Sequence, residues 1–127
     1  MFSKITSLGL MGLDAYTVSV EVFLSGGVTS FDVVGLPDAA VREARDRVRA
    51  ATYCLGCEYP QGRITANLAP ADIRKEGVVY DLPLLLAVLC ASEQTAPLPE
   101  DIAFVGELSL DGHLRPIDGV LPMVIHA

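Results

Sequence analysis

Residues 34–51, VGLPDAAVREARDRVRAA, contain the change from strand to helix that decides the fold. Gly35 and Pro37 end an apolar strand, and Asp38 has the short acceptor side chain that is typical of a helix N-cap. At 100° per residue, one face of the helix that follows is apolar and the opposite face is charged. The apolar face comprises Ala40, Val41, Ala44, Val48 and Ala51, and the charged face comprises Arg42, Arg45, Asp46 and Arg49. We therefore predict an amphipathic helix that ends near Gly56 and Pro60.

Alternating apolar residues before this helix predict strands. Residues 2–34 read as three strands, joined by the turn-forming segments 12–14 and 25–27. Because both connections are short, we expect an antiparallel meander.

The sequence after this helix alternates between strand and helix patterns. The expected elements are a strand over 63–68, an irregular polar connection over 70–79, a buried apolar helix over 82–91 with Asp81 as its cap, a hairpin over 102–117 that turns at Asp111-Gly112, and the start of a third helix over 120–127. Strands first and helices interleaved afterwards predict an α+β fold, with a mixed sheet and helices packed mainly on one face.

The length and composition describe a single compact domain. The chain has 127 residues, of which 51% are hydrophobic and 20% are charged, which argues against intrinsic disorder. The apolar run over 82–91 is about half of the roughly 20 residues that span a bilayer, and no signal segment opens the chain. We expect one domain over 1–127 with a cytoplasmic location and no membrane contact. The chain stops inside an apolar segment, so we also expect it to be a fragment of a longer protein.

The net charge of −7 is unevenly distributed along the chain. Residues 1–75 contain eight basic and eight acidic residues, whereas residues 76–127 contain eight acidic residues and Arg115 alone as a basic one. An acidic chain is a poor sequence-independent binder of nucleic acid, because phosphate contacts need clustered cations. Any contact with a polyanion must therefore come from the arginine-rich helix.

Three groups of residues, in this order, resemble the amino-terminal domain of the magnesium-chelatase-like AAA+ ATPases, the family of the competence protein ComM and of YifB. The groups are VGLPD at 34–38 with RDRVRAA at 45–51; ITANLAPAD at 64–72 with KEG at 75–77; and DLP at 81–83. The resemblance covers the whole chain. It implies a non-catalytic accessory domain of an ATP-driven motor, a homo-hexamer that acts as a DNA helicase or in branch migration during natural transformation and recombination. It also implies that a downstream AAA+ module of the same chain binds ATP and magnesium.

A more distant likeness links residues 106–112 and 114–119 to the Lon protease domain, which implies a Lon-like fold. When the two sequences are aligned by these motifs, the serine nucleophile of the Lon domain corresponds to Tyr80 or Asp81, and its lysine base corresponds to Leu121. None of these residues can take the role, so we expect no Ser–Lys dyad and no catalytic residues in this chain. A residual Lon-like serine peptidase is kept as an alternative.

The sequence offers few other sites. It contains no G-x-x-x-x-G-K-[ST] loop for a nucleotide phosphate, so we expect no cofactor in this chain. Cys54 and Cys57 match C-x-x-C, but four ligands are usual for structural zinc, so we expect no metal. A cysteine-based zinc or redox module stays open as a further alternative. The charged group Asp72, Lys75, Glu76 and Asp81 fits a carboxylate pair for acid–base chemistry or metal binding. We prefer the alternative, in which Asp81 caps a helix and the others form surface ion pairs within a polar loop.

The face with Arg42, Arg45 and Arg49 is the candidate contact site for nucleic acid or for a neighbouring subunit. These residues lie within about 60° of one another around the helix axis. The alternative is a solvated face on which Asp46 neutralises Arg42 and Arg49 while Glu43 pairs with Arg47.

Overall fold

The computed structural model describes residues 1–117, 123, 124 and 126. Four strands form one sheet in the order β1-β2-β4-β3, and two short strands form a separate antiparallel hairpin. The α+β prediction is confirmed. In chain order the elements are β1 (Phe2–Met11), β2 (Asp14–Ser25), β3 (Ser30–Val34), α1 (Ala39–Cys54), β4 (Arg63–Ala69), α2 (Asp81–Ala91), β5 (Glu107–Leu108) and β6 (Leu114–Arg115).

The strand order differs from the predicted meander. β1 and β2 form the expected antiparallel hairpin, but β2 pairs next with β4, also antiparallel. β3 lies at the outer edge and is parallel to β4, with Phe31 opposite Ile64. The meander is therefore wrong after its first hairpin, because α1 provides the crossover that two parallel strands require.

One face of the sheet is buried beneath both helices. Ile5, Val20 and Leu68 lie side by side across β1, β2 and β4, and each is at most 2% exposed. They join the inward residues of α1 and α2 in one hydrophobic core. On the opposite face the cross-strand pair Phe2 and Phe23 remains 60% and 51% exposed. The prediction that the helices cover mainly one face is confirmed.

The structure confirms the predicted start and orientation of α1. A carboxylate oxygen of Asp38 accepts a hydrogen bond from the Val41 amide at 2.7 Å, as expected for an N-cap. Val41, Ala44, Val48 and Ala51 are fully buried, so the apolar face of the helix meets the core.

α2 begins differently from the prediction. Asp81 is its first residue, and the preceding N-cap residue, Tyr80, makes no side-chain capping bond. The predicted capping role of Asp81 is therefore wrong, because its carboxylate is bound by groups from other parts of the chain.

In the carboxyl-terminal third of the chain, the described residues include the hairpin that the sequence predicts. The hairpin around Asp111-Gly112 is present, although β5 and β6 are only two residues each. Most of the third helix predicted over 120–127, including the Leu121 position, lies outside the described residues. In the described part of the chain, none of the helices combines the length and apolar character needed to cross a membrane. The Lon-like relationship and the single domain over 1–127 stay predictions.

Candidate functional site

The exposed side of α1 carries three arginines that have no carboxylate partner among residues 1–117 and the few described positions after them. Arg42 donates to the carbonyl of Pro37 at 3.1 Å, and Arg45 donates to the carbonyls of Arg42 and Phe31 at 2.9 and 3.2 Å. Arg49 lies over the ring of Tyr59, with its guanidinium carbon 5.6 Å from the ring centroid.

The neutralised face that was the alternative is only partly observed. Among the described residues, Asp46 forms no ion pair with Arg42 or Arg49, whereas Glu43 pairs with Arg47 at 3.8 Å as expected. Within the described part of the chain, the guanidinium groups of Arg42 and Arg45 therefore contact carbonyl oxygens, and that of Arg49 contacts an aromatic ring.

Two cavities lie along this arginine face. A cavity of about 470 Å³ near the start of α1 is lined by Leu36, Pro37, Arg42 and Arg74. A second cavity of about 180 Å³, towards the end of α1, is lined by Thr29, Ser30, Phe31, Arg45, Asp46, Arg49 and Tyr59. Each cavity thus contains two guanidinium groups.

Lys75 is buried and does not form the surface ion pair that was predicted for its segment. Its side chain is fully shielded from solvent. The ammonium donates to the backbone carbonyls of Gly35, Pro70 and Ile73. These bonds join the turn before α1 to the connection after β4, so the role of Lys75 is structural.

Asp38 strengthens the same junction from the helix side. Its backbone amide donates to the Lys75 carbonyl at 2.9 Å, and the amide of Lys75 donates to the Leu36 carbonyl at the same distance. The second carboxylate oxygen of Asp38 accepts from the Gly77 amide at 3.2 Å. The motifs VGLPD and KEG, which are far apart in sequence, thus form one interlocked backbone structure.

Asp81 is the other buried charged residue of the predicted group. Its side chain is completely buried and accepts two bonds from Arg47, at 2.6 and 3.1 Å. The Leu108 amide donates a third bond at 3.0 Å. Bonding to Asp81 raises the pKa of the Arg47 guanidinium. Burial raises the pKa of the Asp81 carboxyl, against the opposite effect of Arg47.

The remaining members of the charged group lie at the surface and do not join a catalytic cluster. Glu76 pairs with Arg74 at 3.6 Å, and both side chains are about two-thirds exposed. Asp72 is exposed. The surface ion-pair interpretation therefore applies to Glu76 but is wrong for Lys75, and Asp81, which was expected to cap a helix, forms a buried ion pair with Arg47 instead.

Tyr80 and both lysines of the chain are held by partners other than serine. Tyr80 is 1% exposed, and burial together with a hydrogen bond to Tyr16 raises the pKa of its phenol. Lys4 pairs with Glu100 at 3.3 Å on the surface. Neither lysine has a serine hydroxyl among its hydrogen-bond partners in the described chain.

Cys54 is exposed and Cys57 is half-buried at the end of α1. Within residues 1–117 and the described positions beyond them, His, Cys, Asp and Glu form no group of three that could hold a metal ion. The ATP and magnesium that the resemblance implies for the downstream module stay a prediction. The cysteine-module alternative receives no support from neighbouring ligands.

Two residues beside the arginines were missed by the sequence analysis. Arg74 lines the larger cavity with Arg42, and Tyr59 lines the smaller one with Arg49. Both lie in connections outside the helix, where no periodicity marks them. For Tyr59 the available signal was an aromatic residue five positions after the end of α1, whereas no local signal connects Arg74 with the start of that helix.

Comparisons with known proteins agree on one family. The family model described as subunit ChlI of Mg-chelatase matches residues 20–127. An uncharacterized protein YifB of Escherichia coli and the competence protein ComM of Haemophilus influenzae are each 48% identical over 118 residues, or 92% of this chain. An uncharacterized protein of Mycobacterium tuberculosis is 46% identical over 123 residues. The chain spans only about a quarter of the length of these relatives, 23% to 24%.

Proposed function

The chain belongs to the family described as subunit ChlI of Mg-chelatase, and on that basis we propose that it is a non-catalytic accessory domain of a larger, magnesium-chelatase-like ATPase. The larger protein is an ATP-driven DNA helicase or branch-migration motor that works in natural transformation and recombination in the cytoplasm. It assembles as a homo-hexamer, and the ATP and magnesium bind its downstream AAA+ module. The match to a competence protein over 92% of the chain supports this proposal.

The proposed task of the domain is to guide DNA along the exposed face of α1. The observation that carries this proposal is that Arg42, Arg45 and Arg49 lie on one helix face without carboxylate partners among the described residues. Unpaired guanidinium groups are suited to phosphate oxygens, which accept charge-assisted hydrogen bonds from them. A chain with net charge −7 can bind phosphate only where its basic residues are concentrated in this way.

The non-catalytic part of the proposal is supported by Tyr80 and Asp81. By resemblance they lie at the nucleophile position of a Lon-type peptidase. Both are buried and bonded to groups that hold them in place. Neither side chain is positioned to attack a peptide at the surface, which argues against the residual-peptidase alternative.

A second candidate role for the same face is assembly with a neighbouring subunit. The carboxyl-terminal half presents exposed carboxylates that could receive the arginines of another copy, including Glu93 and Asp101. Complementary charges of this kind orient subunits and speed their encounter. The two roles can be distinguished by reversing the charge of this face, because DNA guidance predicts a change in DNA affinity and assembly predicts a change in particle size.

The test is a double charge reversal, Arg42→Glu with Arg49→Glu, in the full-length gene product. Arg45 is retained because its bond to the Phe31 carbonyl ties α1 to β3. Lys4→Glu with Arg115→Glu is the matched control, since it changes the charge equally at exposed positions away from α1.

DNA affinity is measured by fluorescence anisotropy across a salt series, and particle size by light scattering. If the face binds phosphate, the reversal weakens DNA binding and makes the slope of log K against log salt shallower by about two. A loss of the hexamer with unchanged DNA affinity of the remaining particles would assign the face to assembly instead. If the reversal matches the control in both measurements, the proposed role of this face is refuted.

A further inference from the structure

An aromatic cluster adjoins the arginine face at the end of α1. The rings of Tyr53 and Tyr59 have centroids 6.0 Å apart and planes inclined by 30°. Arg49 lies over the ring of Tyr59 at 5.6 Å. Tyr53 is 58% exposed, and Tyr59 is half-buried beside the smaller cavity. Tyr59 packs against the hydrophobic core with part of its surface, whereas Tyr53 lies outside the core.

The smaller cavity is too small to enclose a drug-sized ligand. Its volume of about 180 Å³ is below the roughly 300–1,000 Å³ of pockets that enclose drug-sized ligands. Tyr59, Arg45 and Arg49 all line it, and the Arg49 guanidinium lies over the Tyr59 ring. A planar π-system inserted here would meet an aromatic ring and a guanidinium plane together.

The charges around the cavity argue against a site for phosphate alone. Asp46 lines it together with the two arginines, and a carboxylate repels a phosphate at short range. Arg42 lies further along the face, near the start of α1, and lines the larger cavity together with Arg74, whose guanidinium pairs with Glu76. Arg42 and Arg49 are separated by seven residues, or about 10 Å along the helix axis. That length corresponds to about three phosphates of a stacked strand at 3.4 Å each.

We infer that Tyr59, with Tyr53 and Arg49, is a stacking platform for a base of a single-stranded nucleic acid whose phosphates follow Arg45 and Arg42. This inference rests on the proposed DNA-guiding function and narrows its partner to unpaired strands. The bases of a duplex are stacked on one another and cannot reach the ring, whereas single strands commonly combine a cationic track with aromatic platforms. Stacking of this kind tolerates any base, since every base has a π-face.

The test compares three probes of equal length: oligo-dT, an abasic deoxyribose-phosphate strand and a DNA duplex. Binding to the 127-residue chain is followed by anisotropy of a terminal fluorophore. The abasic strand keeps the phosphates but cannot stack. We expect oligo-dT to bind about tenfold more tightly than the abasic strand, as one stacked base provides. The inference is overturned if the two strands bind equally, if the duplex binds as tightly as oligo-dT, or if free thymidine triphosphate competes as well as the strand does.

Variants of the platform separate stacking from charge. Tyr59→Leu is expected to remove the tenfold preference for oligo-dT while affinity for the abasic strand stays unchanged. Tyr59→Phe retains the ring and is expected to keep the preference. If the leucine variant is unstable, Tyr59→Phe still tests the inference, because loss of the preference for oligo-dT in that variant would contradict it. Phe23→Leu is the matched control, since it removes an exposed ring from the opposite face of the sheet.

The outcomes distinguish this inference from the function on which it rests. If Arg42→Glu with Arg49→Glu weakens both strands while Tyr59→Leu changes neither, the stacking platform is refuted and phosphate guidance survives. If neither strand binds but the duplex does, the stacking platform is refuted and DNA guidance survives; if none of the three probes binds the wild-type protein, both proposals fail together.

Discussion

Replacing Asp81 by asparagine should greatly destabilise the domain. Asparagine keeps the shape of the side chain and can still accept from the Leu108 amide, but it leaves the Arg47 guanidinium without its buried counter-ion. Removing one partner of a buried pair costs about 3–5 kcal/mol. Arg47 is 17% exposed and keeps Glu43 at 3.8 Å, so we expect the lower end, about 3 kcal/mol. In a domain of this size that loss lowers the melting temperature by about 10 °C.

The assay is urea unfolding followed by far-ultraviolet circular dichroism, in which a lower midpoint at an unchanged slope reports lost stability. Glu43→Gln is the control, because it removes the other carboxylate near the same guanidinium at a position that is 67% exposed. That variant should stay within about 0.5 kcal/mol of wild type. The double change Arg47→Met with Asp81→Leu should recover most of the loss, since no buried charge remains. A cost below about 1 kcal/mol for Asp81→Asn, or an equal cost for Glu43→Gln, would refute the reasoning.

Three further changes test the buried polar groups and the backbone. Lys75→Met should cost about 3 kcal/mol or more in urea unfolding, since it leaves three carbonyls without their buried donor; a cost under about 1 kcal/mol would contradict that role. Gly35→Ala should abolish folding as judged by circular dichroism, because φ is +101° and a Cβ would overlap the Leu68 carbonyl. Gly56 also has a positive φ, +75°, but open space around it, so Gly56→Ala should lower the free energy of unfolding by only about 1 kcal/mol. Equal effects of the two would disprove the steric argument. The raised pKa of Tyr80 keeps its phenol protonated in the folded state, whereas in the unfolded state it ionises near pH 10. The free energy of unfolding should therefore fall as pH rises above about 10, and it should fall less in Tyr80→Phe. Identical pH profiles of the wild type and Tyr80→Phe would count against this.

The predictable part of the candidate site is its helix. The 3.6-residue period places Arg42, Arg45 and Arg49 on one face, and the structure shows the apolar face opposite them buried. The predicted ion pairs of Asp46 with Arg42 and Arg49 are not formed, because helical spacing brings such side chains within reach of each other but does not fix which contacts they make. Arg45 and Arg49 instead contact Phe31 and Tyr59, which come from other elements.

The buried charges could not be assigned from sequence. Asp81 follows a polar connection and precedes an apolar run, a position that favours helix capping, and Lys75 looks like an ordinary surface residue. Their partners lie 34 and up to 40 residues away, at Arg47 and Gly35. Local patterns carry no information about partners at such separations.

The amino-acid sequence by itself determined the α+β class, the approximate positions of α1, α2 and strands β1 to β4, the N-cap at Asp38 and the cationic face of α1. These features depend on backbone preferences and on periodicity within a few residues. Only the tertiary structure decided that β3 runs parallel to β4 at the sheet edge, and that Lys75 and Asp81 are buried with distant partners. The reason is physical: strand pairing and the burial of charge are settled by which surfaces pack together, and that depends on contacts between segments far apart in the chain.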